Sequence, residues 1–186
     1  DGLITVEDVD MKNVIPSLYW GFGNTFTYKN WDLDVFIYSQ LGVDKYNDVY
    51  SWTSGRGLGN QTNNMSVYIK DVWHSELNPN GTIPGIAYEM ASVSLPGGAG
   101  TDIGYENSSF VRVRNITLGY NFKPNQLGAL SKLLSGIRVY VDVQNPFTFT
   151  GYTGLDPEVN TGGNYKGGKA EYPQTRTFSL GAKLSF

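Results

Sequence analysis

The chain has 186 residues, a formal net charge of −3 and no cysteine. The mild acidity argues against a nucleic-acid partner, because no basic stripe is available to neutralise phosphates. The lack of cysteine excludes disulfides and thiolate metal sites. With 13 Tyr, 9 Phe, 4 Trp and 23 Gly, the composition favours strands and glycine-rich turns over helices.

Nothing in the sequence predicts a transmembrane helix. The mean hydropathy is −0.30, and there is no run of about 18 apolar residues. That does not exclude a transmembrane β-barrel, since half of each barrel strand faces a polar lumen and lowers the average. The sequence starts at Asp1 without Met or a signal peptide. We therefore expect it to begin within a longer protein, whereas Phe186 resembles a native C-terminus.

Five segments alternate with period two and are predicted to be strands, and one stretch, 126–134, has weak helical character. Each predicted strand has about 11 to 13 residues, against five or six in most globular proteins. This length suits a tilted strand that crosses a bilayer. The predicted strands are 17–28, 31–41, 110–122, 137–149 and 175–186.

The last two predicted strands have the most regular alternation, and their apolar positions are predicted to face lipid. In the third strand the pattern breaks, because Arg112 and Arg114 share parity with Ile116. A β-bulge near Asn115 would put both arginines inside the barrel. Otherwise they would lie at the headgroup level with their aliphatic stems buried. The predicted lipid-facing residues are Val139, Val141, Val143, Phe178, Leu180 and Leu184.

The lengths of the connections predict a topology. Outer-membrane barrels have short periplasmic turns and long extracellular loops, so 1–16, 42–108 and 150–174 are expected outside the cell. The short connections, 29–30 and 123–136, are then periplasmic. Five strands cannot close a barrel, and open edges in hydrocarbon would leave amides unsatisfied. We expect the chain to pair with further strands.

The sequence predicts no catalytic or metal site and no cofactor. The single histidine, His74, lies in the loop Trp73-His74-Ser75-Glu76, where a contact or solvent-exposed role is favoured over nucleophilic catalysis. One histidine also cannot build an ordinary zinc site. Asp32 and Asp34 are two apart on a strand, which places both on the polar face and does not require acid–base chemistry. The glycine-rich stretch 55–59 neither follows a strand nor opens a helix, so it is not a phosphate-binding loop.

Aromatic residues in the predicted loops are candidates for binding. Their rings can stack on sugars, supply contact area for a protein partner, or pack the loops against one another. These three roles remain open. The candidates for contact with substrate or with a lid protein are Tyr50, Trp52, Trp73, Tyr88 and Tyr152.

Four segments carry a family resemblance. Residues 109–120 resemble the "FLRLKNITLGY" strand of the SusC/RagA family of TonB-dependent outer-membrane transporters, and 137–150 resemble its "LRVYVSGQNLFTFT" strand. Residues 151–159 match "YTGLDPEV", and 172–186 resemble the closing "YP…RTFSLGLNLSF". One departure is Pro146, where the family often has Leu. A proline there removes a ladder donor and predicts a bulge or the end of a strand.

The resemblance implies an all-β, antiparallel transmembrane barrel of 22 strands, of which this chain would supply the last five or so. It further implies a plug domain and a TonB-contacting region upstream, a SusD-like surface lipoprotein as lid, and import of oligosaccharides or peptides without enzymatic activity. Phe186 would then be a C-terminal assembly signal. Two rival interpretations are a secreted β-sandwich carbohydrate-binding module and a barrel with an adhesive or structural role.

Overall fold

The computed structural model describes residues 10–47, 66–82, 104–159 and 172–186. Within these ranges it contains seven β-strands and three short 3-10 helices, and the chain divides into two compact units. None of the described helices has the length and hydrophobicity needed to cross a membrane. The strands are β1 (Leu18–Tyr28), β2 (Trp31–Leu41), β3 (Asp44–Tyr46), β4 (Tyr105–Asn107), β5 (Phe110–Phe122), β6 (Gly136–Thr150) and β7 (Thr177–Ser185); the 3-10 helices are Val67–Asp71, Pro124–Gln126 and Gly128–Lys132.

The first unit is a single antiparallel sheet in the order β1-β2-β5-β6-β7. All five predicted strands are confirmed, with boundaries within two residues of those expected. β1 and β2 form a hairpin with the two-residue turn Lys29-Asn30, and Lys29 adopts a left-handed conformation with φ 56. The weakly helical stretch consists of two 3-10 helices that lead from β5 to β6.

The predicted bulge in β5 is present. Phe36 of β2 pairs with Asn115 and the next residue, Ile37, pairs with Val113, so the register passes over Arg114. On β6 the same irregularity spans Asn145 and Pro146. Asn145 has φ 49, and Pro146 has no N–H to donate to the ladder. The strand continues beyond Pro146 to Thr150, so the proline marks a bulge and not the end of the strand.

The second unit contains the two-stranded antiparallel sheet of β3 and β4. Both strands lie in the stretch 42–108, which the sequence predicts to be one long extracellular loop. Each has only three residues, too few to show alternation. Their pairing joins positions about 60 residues apart, such as Lys45 and Glu106.

Candidate functional site

One face of the five-stranded sheet is apolar and exposed. Across β5, β6 and β7, Val141 lies between Leu118 and Leu180. The exposed fractions of Val141 and Leu180 are 47% and 77%. The same pairing places all six predicted lipid-facing residues on this face, which is a continuous band of aliphatic and phenyl side chains. The band comprises Leu33, Val35, Ile37, Val113, Ile116, Leu118, Ile137, Val139, Val141, Val143, Phe178, Leu180, Ala182 and Leu184.

Aromatic residues border this band at both ends. Near the β1–β2 turn, the ring of Tyr120 lies 4.8 Å from that of Trp31 and 4.7 Å from that of Phe122, centroid to centroid. At the other end, Trp20 pairs with Ser39 of β2. Trp31 and Ser39 are eight residues apart, which is about 27 Å along a strand. An outer-membrane barrel carries an apolar band about 25 Å tall between two aromatic girdles, and the sheet has these proportions.

Asn24 interrupts the apolar band. It lies on β1 directly opposite Val35 of β2 and is exposed. Its neighbours on the same face of β1 are Phe22 and Phe26, which are 50% and 58% exposed. β1 is the edge strand of this sheet, so Asn24 lies where a further strand would pair.

The opposite face of the sheet is polar, and an ion pair crosses it. Arg138 of β6 donates through Nε to Oδ1 of Asp32 at 3.2 Å and through Nη2 to Oδ2. The two side chains meet above Gly119 of the intervening strand β5, where an added Cβ would lie 2.5 Å from Asp32 Oδ2 and 2.7 Å from Arg138 Nε. Asn121 also donates to Asp32. The absence of a side chain at Gly119 is therefore what allows β2 and β6 to be bridged across β5.

The remaining carboxylates of this face are hydrogen-bonded to threonines. Thr25 donates to Asp34, and Thr117 Oγ1 donates to Asp142 Oδ1 at 2.7 Å. Asp32 and Asp34 lie on the same face, as predicted, and each belongs to this polar network. The network supplies no nucleophile and base pair, so the carboxylates serve to satisfy and order the polar face.

Both arginines of the bulged region lie on the polar face. Arg112 is 1% exposed and donates through Nε to Thr148 Oγ1 at 3.0 Å. The Arg114 guanidinium stacks over the ring of Tyr38, with its carbon 5.6 Å from the ring centroid. Tyr38 accepts a hydrogen bond from Gln40 at 2.6 Å. The bulge therefore places both arginines on the same side of the sheet, as predicted.

In the second unit, Glu106 of β4 is the centre of a hydrogen-bonded cluster. Its Oε1 accepts from Asn47 Nδ2 at 2.8 Å and its Oε2 accepts from the main-chain N–H of Thr153 at 2.8 Å. The Thr153 hydroxyl also lies 2.8 Å from each carboxylate oxygen. Asn47 is 2% exposed, and burying an amide without partners would be costly. Glu106 thus fixes the 152–159 segment to β4.

Lys45 of β3 makes a second attachment to the same segment. Its Nζ donates to the main-chain carbonyls of Asp156 and Pro157, each at 3.2 Å, and lies 5.6 Å from the ring centroid of Tyr152. Tyr152 is 7% exposed, and its ring covers Gly154. Tyr152 is therefore packed within the unit, and it would have to leave this packing to touch a ligand.

Residues 66–82 form a compact loop. His74 accepts hydrogen bonds at Nδ1 from the main-chain N–H groups of Glu76 and Leu77, at 3.2 Å and 3.1 Å, so its role is to order a turn. Asn78 donates to the carbonyls of Lys70 and Val72. The loop presents a surface containing Val67, Tyr68, Trp73 and Leu77, and Trp73 is 48% exposed.

Three of the five aromatic contact candidates, Tyr50, Trp52 and Tyr88, lie outside the described residues, as does the stretch 55–59. Phe186 follows β7 and is 82% exposed. No group of three or more His, Asp or Glu side chains in the described ranges could hold a metal ion.

Comparison with known proteins gives several relatives, although no family model matches the chain. The sequence is 30% identical over 197 residues to the TonB-dependent receptor P3 of Formosa agariphila, covering 100% of this chain and 18% of that receptor. It is 33% identical over 177 residues to the TonB-dependent receptor SusC of Bacteroides thetaiotaomicron, covering 94% of this chain and 16% of SusC. The chain thus spans less than a fifth of the length of these relatives.

The fold is similar to solved structures of RagAB. The RagAB peptide transporter matches with a TM-score of 0.73 and 29% identity, over 94% of this chain and 18% of the solved one. The RagAB peptide importer in the closed-closed state matches with a TM-score of 0.72 and 25% identity over the same shares.

The two-faced sheet and these relatives define the class: the chain is part of a transmembrane β-barrel of the outer membrane. The resemblance to the SusC/RagA family of TonB-dependent transporters is confirmed, and it extends over nearly the whole chain.

Proposed function

We propose that the chain forms part of the wall of a TonB-dependent outer-membrane importer. The single observation that carries the proposal is the division of one long-stranded sheet into an exposed apolar face and a hydrogen-bonded polar face. A barrel strand alternates between lipid and lumen in this way. The apolar band, including Val141 and Leu180, faces lipid, and the face with Asp32, Asp34 and Asp142 lines the lumen.

The cargo in this proposal is a peptide or an oligosaccharide. The similar solved RagAB structures are of a peptide importer, which supports testing peptides first. The SusC/RagA resemblance supports a SusD-like lipoprotein lid and coupling to the TonB complex through upstream regions. The stretches 1–16, 42–108 and 150–174 are assigned to the outside of the cell, where the exposed Trp73 could touch lid or cargo.

The test uses the full-length transporter in its own bacterium. Deletion of its gene should abolish growth on one defined peptide or oligosaccharide as the sole limiting nutrient, and deletion of TonB should have the same effect. Re-introduction of the intact gene is the control. Unchanged growth of the deletion strain on every cargo of both classes would overturn the proposal.

A secreted carbohydrate-binding sandwich is the rival candidate. Its strands would be near six residues, whereas those of the large sheet have 9 to 15. A sandwich would also cover its apolar face with a second sheet, whereas Phe178 and Leu180 are more than two-thirds exposed. Solubility separates the two: the sandwich would be monomeric in plain buffer, and the barrel requires detergent.

Phe186 is proposed to act as an assembly signal. The terminal strand β7 alternates strictly up to it, and such a strand can add to another sheet edge through its main chain. Deletion of Phe186 from the full-length protein should lower its level in the outer membrane and raise periplasmic aggregates. Undiminished insertion would leave Phe186 with only a place in the aromatic girdle.

A further inference from the structure

The polar face contains one row in which glycine alternates with a large side chain. Asp32 of β2 pairs with Gly119 of β5, Gly119 pairs with Tyr140 of β6, and Tyr140 pairs with Gly181 of β7. Glycine in a strand interior weakens the strand unless close approach requires it. Here both glycines meet that condition.

Gly181 is covered by the ring of Tyr140. A Cβ added at Gly181 would lie 2.7 Å from Cε1 of Tyr140 and still closer to Cζ and to the hydroxyl oxygen. The ring therefore lies across β7 and does not stand upright from β6. The Arg138 guanidinium lies over the same ring, with its carbon 5.0 Å from the centroid.

Gly119 has the same relation to the ion pair. Asp32 and Arg138 extend toward each other across β5 and occupy the space where a Gly119 side chain would stand. Each large group of the row thus lies along the sheet, in a slot that a glycine leaves open. The row therefore projects little from the sheet, although it contains Tyr140 and the neighbouring Arg138 extends over it.

We propose that Gly119 and Gly181 are specificity-determining residues, which set the clearance of the transport path by letting these side chains lie flat against the barrel wall. This inference rests on the proposed function. Barrels of this size class hold a plug in the lumen, so cargo passes beside a folded domain. A ring that stands away from the wall would narrow that passage.

The sharpest variant is Gly181→Ala. Its methyl group occupies the place of the Tyr140 ring, and because the clash is with the far end of a side chain, the ring can swing away without a shift of the backbone. The matched control is Gly23→Ala on β1, on the same face. There an added Cβ would lie 3.5 Å from Cδ2 of Phe36, which is ordinary van der Waals contact.

The first measurement follows the ring itself. Fluorotyrosine is placed at position 140 of the full-length transporter, and broadening of its fluorine NMR signal by a soluble gadolinium chelate is recorded. Gly181→Ala should increase the broadening, and Gly23→Ala should leave it unchanged. Equal broadening in wild type and Gly181→Ala would contradict the placement of the Tyr140 ring over Gly181, whatever the protein transports.

The second measurement follows transport, using labelled peptides and labelled oligosaccharides of increasing length. Gly181→Ala should lose uptake of the longest cargo that the wild type accepts and retain uptake of the shortest. The double variant Gly181→Ala with Tyr140→Ala should regain the long cargo, which a merely structural role of the glycine would not produce. Surface labelling checks that all variants are inserted equally.

The outcomes separate the two claims. Normal uptake by the wild type with an unchanged length limit in Gly181→Ala would overturn the inference and leave the proposed function intact. If the double variant Gly181→Ala with Tyr140→Ala did not regain uptake of the long cargo, the inference would also be overturned. If the wild type took up neither class of cargo, the proposed function would fail, and the fluorine measurement would still decide whether the slot exists.

Discussion

Different interactions stabilise the five-stranded sheet and the β3–β4 unit, each within itself. In the sheet, main-chain ladders join every neighbouring pair of strands over nine or more residue pairs. In the smaller unit the ladder has three pairs, and the attachment of the 152–159 segment depends on side chains of Lys45 and Glu106. A main-chain ladder tolerates many side chains as long as apolar and polar residues alternate. A side-chain cluster loses hydrogen bonds when any one of its members is replaced.

The comparison therefore predicts two kinds of sensitivity. Changes in the sheet should matter according to the face on which they fall, because the two faces meet different solvents. Changes in the smaller unit should matter according to the hydrogen bonds that the particular side chain makes.

Val141→Arg should have the largest effect. Val141 is in the middle of the apolar band, and arginine at the bilayer midplane costs about 2–4 kcal/mol in a barrel. The free energy of unfolding of the full-length barrel in lipid vesicles should fall by that amount. Gln144→Arg, on the polar face of the same strand, is the control and should be tolerated. Equal losses for both variants would show that the two faces meet the same solvent.

Gly119→Ala should come next. The added methyl group would displace the Asp32–Arg138 ion pair, and loss of a partly buried, hydrogen-bonded pair is expected to cost about 1–3 kcal/mol. The measurement is urea-induced unfolding of the same barrel. Gly136→Ala on β6 is the control, because its Cβ would lie 3.7 Å from the nearest heavy atom, the Phe122 carbonyl oxygen. Indistinguishable stabilities would mean that the ion pair does not bridge the strands.

Glu106→Gln should have a local effect, confined to the smaller unit, and therefore the smallest effect on the barrel as a whole. The carboxylate accepts from Asn47 and Thr153, whereas an amide must turn its NH₂ group toward one of these donors, at a cost of about 1–3 kcal/mol to the local structure. Hydrogen exchange of the 152–159 segment should accelerate while that of the sheet stays constant. Glu76→Gln is the control, since Glu76 is exposed and contacts His74 through its main-chain N–H. Acceleration of exchange in the sheet as well would contradict a local effect.

Sequence reasoning predicted the sheet because its determinant is local. Period-two alternation over nine or more residues is visible within each strand, and the conflict in parity at Arg112 and Arg114 was enough to predict the bulge near Asn115. The exact bulged residue, Arg114, depended on pairing with Phe36 and Ile37, which no single strand reveals. The continuation of β6 past Pro146 likewise depends on pairing with β5, where Phe147 lies opposite Val113.

The β3–β4 unit was not predicted, and the reason is distance along the chain. Strands of three residues show no period, and the contacts that fix them join Asn47 to Glu106 and Lys45 to Asp156, which are 59 and 111 residues apart. The glycine row was missed for a related reason. Gly119 and Gly181 each fit the polar parity of their strands, but only the register shows which side chains cover them.

If the sheet separates lipid from an aqueous lumen, adjacent residues on one strand should meet different solvents. Single cysteines at Val141 and Asp142 in the otherwise cysteine-free segment of the full-length transporter can be exposed, in intact membranes, to a membrane-impermeant thiol reagent. We expect the cysteine at 142 to react and the one at 141 not to react, whereas a lipid-soluble reagent should label 141. Labelling of 141 by the impermeant reagent, with 142 protected, would contradict this expectation.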